Sequence, residues 1–412
     1  MTAVLEGVRV LDLTRVIAGP WCTQILADLG ADVIKIEKPD GGDDTRRVGP
    51  FVGDPQRGDS AFFLGANRGK RSVTVDISQP EGQALLHELL GQCDVLVENF
   101  KVGDLRRYGL DHASLCQRHP GLIYCSVTGF GQDGPYATRP AYDSVLQAMC
   151  GLMSTCGHPD DAPGGGPVRA GAPIADIFSG LYAAIAVLAA LMHKRSTGQG
   201  QFIDLAMVDA TTAVMGHLAL GYLMTGEVPQ RQGNNNPITA PSEVFRASDG
   251  YFSMSAGNNG QFAALLEVLG LSATLAHDPR FVSNIERIKH RQALHALLEA
   301  VTLTRPVAEW IERLSARTVP CAAINDMRQV FADPQVRHRD LRLDVPHGSG
   351  QTVPTLRSPL RMSATTIRHG TPPMLGEHTD AVLGELLGLS AERLQALRES
   401  HVTTASLVAN GR

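Results

Sequence analysis

Short apolar segments that alternate with helical segments over the first 130 residues constrain the fold more than any other feature of this chain. Val8–Leu13 (VRVLDL) has the composition of a buried strand, and a helix is predicted from Gly19-Pro20 because proline favours an early helical position. Val33–Glu37 (VIKIE) reads as the next strand and completes a βαβ unit. The pattern predicts an α/β domain built on a parallel sheet.

The alternation continues along the chain. Ser72–Ile77, Asp94–Val97 and Leu122–Val127 are short and apolar enough for strands of a buried parallel sheet. Pro80–Leu90 predicts an amphipathic helix with its leucines on one face. In a doubly wound, Rossmann-like sheet, ligands bind at the carboxyl ends of the strands, so we expect the functional site at that edge.

Changes in composition indicate the domain organisation. Residues 1–225 are predicted to form the large α/β domain. From about Glu227 the sequence becomes polar and rich in turn residues, as in a linker or an active-site loop, and residues 226–335 are predicted to form a smaller α+β domain with linkers. Residues 336–412 are expected to return to the large domain, with a last helix at Thr379–Leu387.

Composition argues against several classes of partner. The 37 Lys and Arg against 42 Asp and Glu give a net charge of −5, which disfavours nucleic acid and a polybasic membrane surface. The apolar segment Ser179–Met192 falls short of the about 20 apolar residues that span a bilayer, so a buried helix is predicted. The N-terminus lacks a signal or transit pattern, and the seven cysteines contain no CxxC pair. These features favour a cytoplasmic protein with reduced thiols and no metal.

Six basic residues come after the second predicted strand at the edge where ligands bind. They are Lys38, Arg46, Arg47, Arg68, Lys70 and Arg71. Any one of them could be solvated surface charge, but together they favour an anionic ligand. The tight turn between Arg15 and Pro20 can receive an adenosine or phosphate group, because the start of the following helix offers free N–H donors.

Gly129–Gly134 (GFGQDG) matches the dinucleotide-binding pattern GxGxxG directly after a strand. That motif needs a helix that begins at its third glycine, and here Pro135 and Pro140 would interrupt such a helix. It also needs an acidic residue about 20 positions further on, at the end of a strand, and none is evident. We interpret the segment as a glycine-containing loop.

Asp176 is the most suggestive candidate for chemistry, because the chain contains no GxSxG, HExxH or P-loop motif. It lies between the Gly/Pro-rich stretch Asp160–Gly171 and an apolar helix, which places a carboxylate near a helix start. Aspartate is also a good N-cap residue. The residue pattern alone favours the N-cap role over a catalytic one.

Eight segments spread along the chain carry a more specific signal. They are Leu5–Arg46, Asn67–Asp76 (NRGKRSVTVD), Asp94–Phe100 (DVLVENF), Gly129–Tyr136 (GFGQDGPY), Pro173–Gly180 (PIADIFSG), Ala256–Phe262 (AGNNGQF), Val330–Val336 (VFADPQV) and Pro372–Asp380 (PPMLGEHTD). Together they resemble the class III CoA-transferases, the CaiB/BaiF-like family of formyl-CoA and carnitine CoA-transferases. The resemblance implies an interlaced homodimer whose active site lies between one chain's large domain and the partner's small domain.

The resemblance implies that Asp176 is the nucleophile, forming an aspartyl-acyl anhydride and then an aspartyl-CoA thioester. Acyl-CoA and a small carboxylic acid are then the substrates, and no cofactor is tightly bound. The resemblance also implies a set of residues along the CoA site. These are Val16 and Lys38 near the adenosine, and Val75, Asn99, Phe100 and Arg107 elsewhere along it. Arg71 is a further candidate, because a guanidinium suits phosphate oxygens.

Two departures from the family bear on the substrate. Formyl-CoA:oxalate members carry glutamine where this chain has Ile17, and a run of glycines where residues 233–237 read GNNNP, which argues against oxalate. The chain is most similar to the succinyl-CoA:glutarate type, through GDDTR (42–46), IYCSVTGFGQDGP (123–135) and AGNNGQF. We therefore predict succinyl-CoA as donor and a dicarboxylate such as glutarate as acceptor, with Arg46 as a carboxylate clamp. Carnitine-like acids, oxalate and aromatic succinates are the alternative acceptors.

α-Methylacyl-CoA racemases share this fold and are the competing interpretation. They exchange a proton through a His–Asp pair that comes after the GxGQxGP stretch. Here that place reads Ala141-Tyr142-Asp143, and tyrosine is a poor base near pH 7. Tyr142 is also predicted to contact substrate in a transferase. A CoA-binding protein without chemistry is the third hypothesis, against which the intact Asp176 weighs.

Overall fold

The computed structural model describes residues 2–52 and 60–404. The chain divides into two compact units. The large unit comprises Met1–Gly151, Ala170–Thr225 and Arg337–Arg412, and the small unit comprises Leu152–Arg169 and Gly226–Val336. The boundaries predicted near residues 225 and 336 adjoin this division. Residues 152–169, which the sequence places in the large domain, instead belong to the small unit.

The described part of the chain contains eleven strands, eighteen α-helices and two 3₁₀-helices, Asp44–Arg47 and Asp104–Tyr108. The strands are β1 (Arg9–Asp12), β2 (Asp32–Glu37), β3 (Arg71–Thr74), β4 (Val95–Glu98), β5 (Ile123–Thr128), β6 (Phe202–Ala206), β7 (Ser242–Arg246), β8 (Tyr251–Ser255), β9 (Cys321–Ala323), β10 (Arg342–Pro346) and β11 (Thr352–Leu356). The helices are α1 (Ala18–Asp28), α2 (Ala61–Leu64), α3 (Pro80–Leu90), α4 (His112–Arg118), α5 (Asp143–Met149), α6 (Leu152–Thr155), α7 (Ile174–Thr197), α8 (Met207–Val214), α9 (Gly216–Thr225), α10 (Asn259–Leu269), α11 (Ser272–Leu275), α12 (Asn284–Lys289), α13 (Arg291–Thr302), α14 (Val307–Ala316), α15 (Met327–Ala332), α16 (Pro334–His338), α17 (Thr379–Leu387) and α18 (Ala391–Glu399).

The large unit is built on a six-stranded parallel sheet in the order β3-β2-β1-β4-β5-β6. This is the strand order of the doubly wound dinucleotide-binding fold, so the prediction of a Rossmann-like sheet is confirmed. Neighbouring residues of β1 face opposite sides of the sheet. Val10 belongs to the core shared with α1 and α7, whereas Leu11 belongs to the core shared with α3 and α17.

Helix α7 is long and apolar enough to cross a membrane by length and composition alone. It packs against α1 and α8 in the large unit and buries Ala183, Val187 and Leu191 in the core. Its other side leaves Ile185 and Met192 exposed. The prediction of a buried helix therefore holds for one face of α7.

The small unit has a three-stranded antiparallel sheet, β7-β8-β9, covered by helices that include α10, α13 and α14. Phe245, Phe252 and Trp310 are fully buried at its centre. This is the predicted smaller α+β domain. A separate hairpin of β10 and β11 lies in the C-terminal segment of the large unit.

Candidate active site

A solvent-open cleft of about 980 Å³ lies where the strand order of the main sheet reverses, between β1 and β4. The crevice at such a switch point is where doubly wound sheets bind their ligands. Its lining comes from three stretches of chain and three single residues. The stretches are Arg15–Ala18 after β1, Asn99–Val102 after β4 and residues of 127–142 at and after the end of β5, and the single residues are Asp44, Asp176 and Met207.

Asp176 lies in the first turn of α7 and is not its N-cap. Pro173 holds the cap position, and Ile174 and Ala175 are already helical. The N-cap interpretation was therefore wrong, because the helix begins two residues earlier than Asp176. The free N–H of Ala175 is bound from outside the helix, by Asp143 Oδ1 at 2.8 Å. Asp143 therefore supplies the capping oxygen at this end of α7, and the Asp176 carboxylate does not.

The Asp176 carboxylate is half-buried and accepts no hydrogen bond from the residues that the structure describes. Burial raises the pKa of this carboxyl to about 7, and the neighbouring Asp143 carboxylate adds to the rise. A carboxylate without hydrogen-bond donors keeps its oxygen lone pairs free for attack, provided that it is ionised. These properties suit a nucleophile in a cleft more than a structural aspartate.

Asp143 has both carboxylate oxygens engaged. Besides Ala175, it binds the Gln147 side-chain amide at 2.7 Å. It therefore holds the start of α7 in place. Tyr142, just before it, is 68% exposed and lines the cleft, where a racemase would place its histidine.

A close approach of two helices sets the position of Asp176. A Cβ added to Gly180 would lie 2.6 Å from the Ala18 carbonyl oxygen, so only glycine lets α7 touch the backbone of α1 there. Asp176 is four residues before Gly180, which is one turn away on the same helix face. The carboxylate is therefore directed toward the beginning of α1.

The turn after β1 brings two predicted site residues together. The side chain of Asn99 binds both backbone groups of Arg15: its oxygen accepts from the N–H at 2.8 Å, and its amide donates to the carbonyl at 2.7 Å. Val16, the next residue, has φ of +71°, a left-handed conformation that is rare for a β-branched residue. Both Val16 and Asn99 line the cleft.

A second cleft of about 690 Å³ adjoins the first and shares Arg15 and Phe100 with it. Lys38 and Val75 line this second cleft. Five predicted residues of the CoA site therefore border one continuous region at the carboxyl edge of the sheet. They are Val16, Lys38, Val75, Asn99 and Phe100.

Arg71 and Arg46 do not take the roles predicted for them. Arg71 begins β3, at the amino edge of the sheet and away from the clefts, and it pairs with Asp32 and Glu385. Arg46 is buried, and two of its nitrogens bind the two oxygens of Glu37 at 2.7 and 2.8 Å. Neither guanidinium is available to a phosphate or a substrate carboxylate, so both assignments are corrected.

The basic cluster as a whole is mostly neutralised inside the protein. Arg68 and Lys70 are also buried, against Asp28 and Asp12 respectively. Arg107 is exposed, lies 4.7 Å from the centre of the Tyr108 ring and borders neither cleft, so its role stays a prediction. Sequence reasoning missed Lys101 and Arg139, which do line the main cleft.

Lys101 was detectable in the sequence, because it directly follows Phe100 at the end of a strand. Arg139 lies in the loop after β5, and no sequence signal singled it out. Its guanidinium stacks on the Tyr136 ring at 3.7 Å, and among the described residues it has no carboxylate partner. The GFGQDG segment before it is a loop, as predicted.

The fold and cleft define a class of protein: a doubly wound α/β domain with an unpaired carboxylate at its switch point. The model of the family described as CoA-transferase family III matches residues 5–379. The chain is 45% identical to the succinate–glutarate CoA-transferase of Agrobacterium fabrum, over 93% of this chain and 95% of that protein. It is 39% identical to the human succinyl-CoA:glutarate CoA-transferase, over 93% of this chain and 86% of that protein.

Among solved structures, a CAIB/BAIF family protein from Brucella suis superposes with a TM-score of 0.84 at 44% identity, covering 94% of this chain and all of that one. The chain belongs to CoA-transferase family III. It is therefore a CoA-transferase that uses acyl-CoA as substrate, and the family assignment made from the sequence is confirmed.

Proposed function

We propose that this enzyme transfers CoA from succinyl-CoA to glutarate or a similar dicarboxylate, with Asp176 as the covalent nucleophile. The observation that carries the proposal is the Asp176 carboxylate, half-buried in the switch-point cleft without a donor among the described residues. The names of the two relatives support the choice of donor and acceptor.

The chemistry starts when an Asp176 oxygen attacks the thioester carbonyl carbon. The C–S bond breaks, and an aspartyl-acyl anhydride and CoA thiolate form. The thiolate then attacks the aspartyl carbonyl carbon, which gives an aspartyl-CoA thioester and releases succinate. The acceptor carboxylate attacks that thioester to form a second anhydride and free the thiolate, which takes up the new acyl group and regenerates Asp176.

Each carbonyl attack creates an oxyanion that needs hydrogen-bond donors. Helix α1 begins beside Asp176, and the first N–H groups of a helix have no partner within it. Ile17 and Ala18 line the cleft, and their backbone N–H groups are the candidate donors. Water must also be kept out, since it would hydrolyse every intermediate.

CoA is proposed to lie along the two adjoining clefts, with its phosphates near Lys38 and its thioester near Asp176. Lys38 is exposed and pairs with Asp44 at 3.0 Å, so it can exchange that partner for a phosphate. For the remote carboxylate of the acceptor, Arg139 replaces the buried Arg46 as candidate. A guanidinium without a carboxylate partner can bind one through two parallel hydrogen bonds.

The proposed assembly is an interlaced homodimer, and apolar surface on the large unit supports it. Side chains more than a third exposed are Leu181, Tyr182, Ile185 and Met192 on α7, and Leu220, Tyr222, Leu223 and Met224 on α9. Light scattering should return twice the chain mass of 44.1 kDa. A cytoplasmic location is also proposed, supported by seven unpaired cysteines.

Trapping the covalent intermediate tests the proposed function. Incubation with succinyl-CoA followed by hydroxylamine should leave a hydroxamate at Asp176, found by peptide mass spectrometry. Asp176→Asn is the matched control and should show none. No adduct on the wild-type enzyme, together with exchange of the α-deuterium of a branched acyl-CoA, would contradict the transferase and favour the racemase. A panel of acids as acceptors then tests the dicarboxylate preference.

A further inference from the structure

The three-residue turn Thr14–Val16, which leads from β1 into α1, is held at almost every backbone polar group by side chains. Asp12 Oδ1 accepts from the N–H of Thr14 at 2.9 Å, and Lys35 Nζ donates to its carbonyl at 2.8 Å. Asn99 binds both backbone groups of Arg15. Asp43 Oδ1 accepts from the N–H of Val16 at 3.3 Å. Turns on protein surfaces ordinarily leave such groups to water.

Three of the four side chains that hold the turn, those of Asp12, Lys35 and Asp43, belong to a buried and electrically balanced cluster. Its three acids are Asp12, Glu37 and Asp43, and its three bases are Lys35, Arg46 and Lys70. All six are at most 4% exposed. Lys35 and Asp43 pair at 3.0 Å with both side chains fully buried. Lys35 binds the carbonyl of Thr14 and Asp43 binds the N–H of Val16, so the pair holds the turn at both ends.

These hydrogen bonds maintain a backbone conformation that is unfavourable for the turn by itself. Val16 is β-branched, and its φ of +71° persists only where the surroundings impose it. The neighbouring geometry is equally tight. A Cβ at Gly19 would lie 2.4 Å from the Thr14 side chain, so the turn packs directly beneath the start of α1.

We propose that Lys35 and Asp43 are positioning residues for CoA binding: they hold the Thr14–Val16 turn so that Val16 and the start of α1 form the cleft wall beside Asp176. Neither residue borders the main cleft; both lie in the wall of the second cleft, where their side chains are fully buried, so they act on a bound CoA through the turn. The inference rests on the proposed placement of CoA along the two clefts. Backbone strain concentrates at binding sites where the surroundings pre-organise it, and pre-organisation lowers the entropy cost of binding.

The test replaces the pair without unbalancing the cluster. The variant Lys35→Met/Asp43→Asn removes one charge of each sign and loosens the turn. The control Arg68→Met/Asp28→Asn removes a comparable buried pair at the far end of α1, which is about 16 Å long. Both variants should lose thermal stability. Calorimetric titration with free CoA should show a Kd raised about tenfold or more for the first and nearly unchanged for the second.

A kinetic readout separates positioning from general loosening. In the turn variant the KM for succinyl-CoA should rise while kcat changes less. The milder Thr45→Val removes one hydroxyl that donates to the same Asp43 oxygen at 2.8 Å, and it should weaken CoA binding in the same direction with the fold intact. Equal CoA affinity in the turn variant and its control, or an effect confined to kcat, overturns the proposal.

Phe100→Ala distinguishes a wrong positioning role from a wrong binding site, because Phe100 lines both clefts. If Phe100→Ala weakens CoA binding and the turn variant does not, the positioning role is wrong. If neither affects CoA, the proposed placement of CoA is wrong and the inference falls with it. Trapping at Asp176 is independent of both results.

Discussion

Asp12 and Asp176 are both withdrawn from solvent near the carboxyl edge of the main sheet, yet their pKa values move in opposite directions. Burial alone would raise the pKa of either carboxyl. For Asp12 the Lys70 ammonium at 2.9 Å, with Lys35 and two threonine hydroxyls, outweighs burial and lowers the pKa to about 2. For Asp176 burial acts unopposed and the Asp143 carboxylate adds to it, so the pKa rises to about 7.

The difference shows how one sheet edge serves two purposes. Around Asp12 each buried charge has an opposite charge in contact, and the cluster holds a turn in place. Among the described residues, no cation or hydrogen-bond donor contacts the Asp176 carboxylate. The carboxylate therefore remains reactive, and the burial of its charge lowers the stability of the fold. A structural carboxylate such as Asp12 and a reactive one such as Asp176 differ more in the groups that contact them than in how deeply they are buried.

The largest expected effect is on catalysis. Asp176→Asn should lower transfer between succinyl-CoA and glutarate by about 10³-fold or more, because an asparagine amide cannot attack the thioester to form the anhydride. Asp143→Asn, which keeps an oxygen to cap α7, should retain most of the activity near neutral pH. Steady-state rates with both variants make the comparison. Substantial activity in Asp176→Asn would refute the nucleophile.

Lys70→Met tests the role of the buried ion pair at Asp12. Asp12 would remain buried without its contacting cation, and the free energy of unfolding should fall by about 3–5 kcal/mol. Lys70→Met/Asp12→Asn removes both charges and should cost less than Lys70→Met alone. Urea denaturation of the two variants measures the difference. A double variant less stable than the single one would contradict this account.

Asp176→Asn should have the opposite effect on stability. The pKa of Asp176 is raised on folding from 3.8 to about 7, so its contribution to stability is present at low pH and is lost as pH rises through 7. The asparagine variant should therefore be more stable than wild type at pH 8, by at most about 4 kcal/mol, and gain little at pH 4. Thermal unfolding at both pH values tests this. A stabilisation independent of pH would exclude the electrostatic cause.

The smallest effect expected is a shift of the pH profile. Since Asp176 must be ionised to attack, kcat/KM should fall as pH decreases through about 7. Burial would remain in Asp143→Asn, but the repelling charge would be gone, so the acidic limb should move to lower pH and the rate at pH 6 should rise a few-fold relative to the optimum. An acidic limb at the same pH in Asp143→Asn as in wild type would show that Asp143 caps α7 and does not raise the pKa of Asp176.

Most of the large unit could be predicted from the sequence, because local patterns carry the information. Strand-length apolar runs predicted all the strands from β1 to β5, and Pro80 predicted the start of α3 correctly. Motif similarity identified the family and singled out Asp176. Pattern reasoning failed where contacts are distant in sequence. Arg46 and Arg71 looked like ligand-binding residues, because nothing nearby shows that Glu37 and Asp32 would neutralise them.

The sequence by itself determined the sheet, the family and the identity of the candidate nucleophile. Only the tertiary structure decided which charges are available for function. Asp143 caps α7 from another helix, Gly180 brings Asp176 to the start of α1, and Lys35 with Asp43 holds the turn before it. Hydrophobic periodicity is local, whereas the pairing of buried charges depends on which side chains the fold brings within about 3 Å.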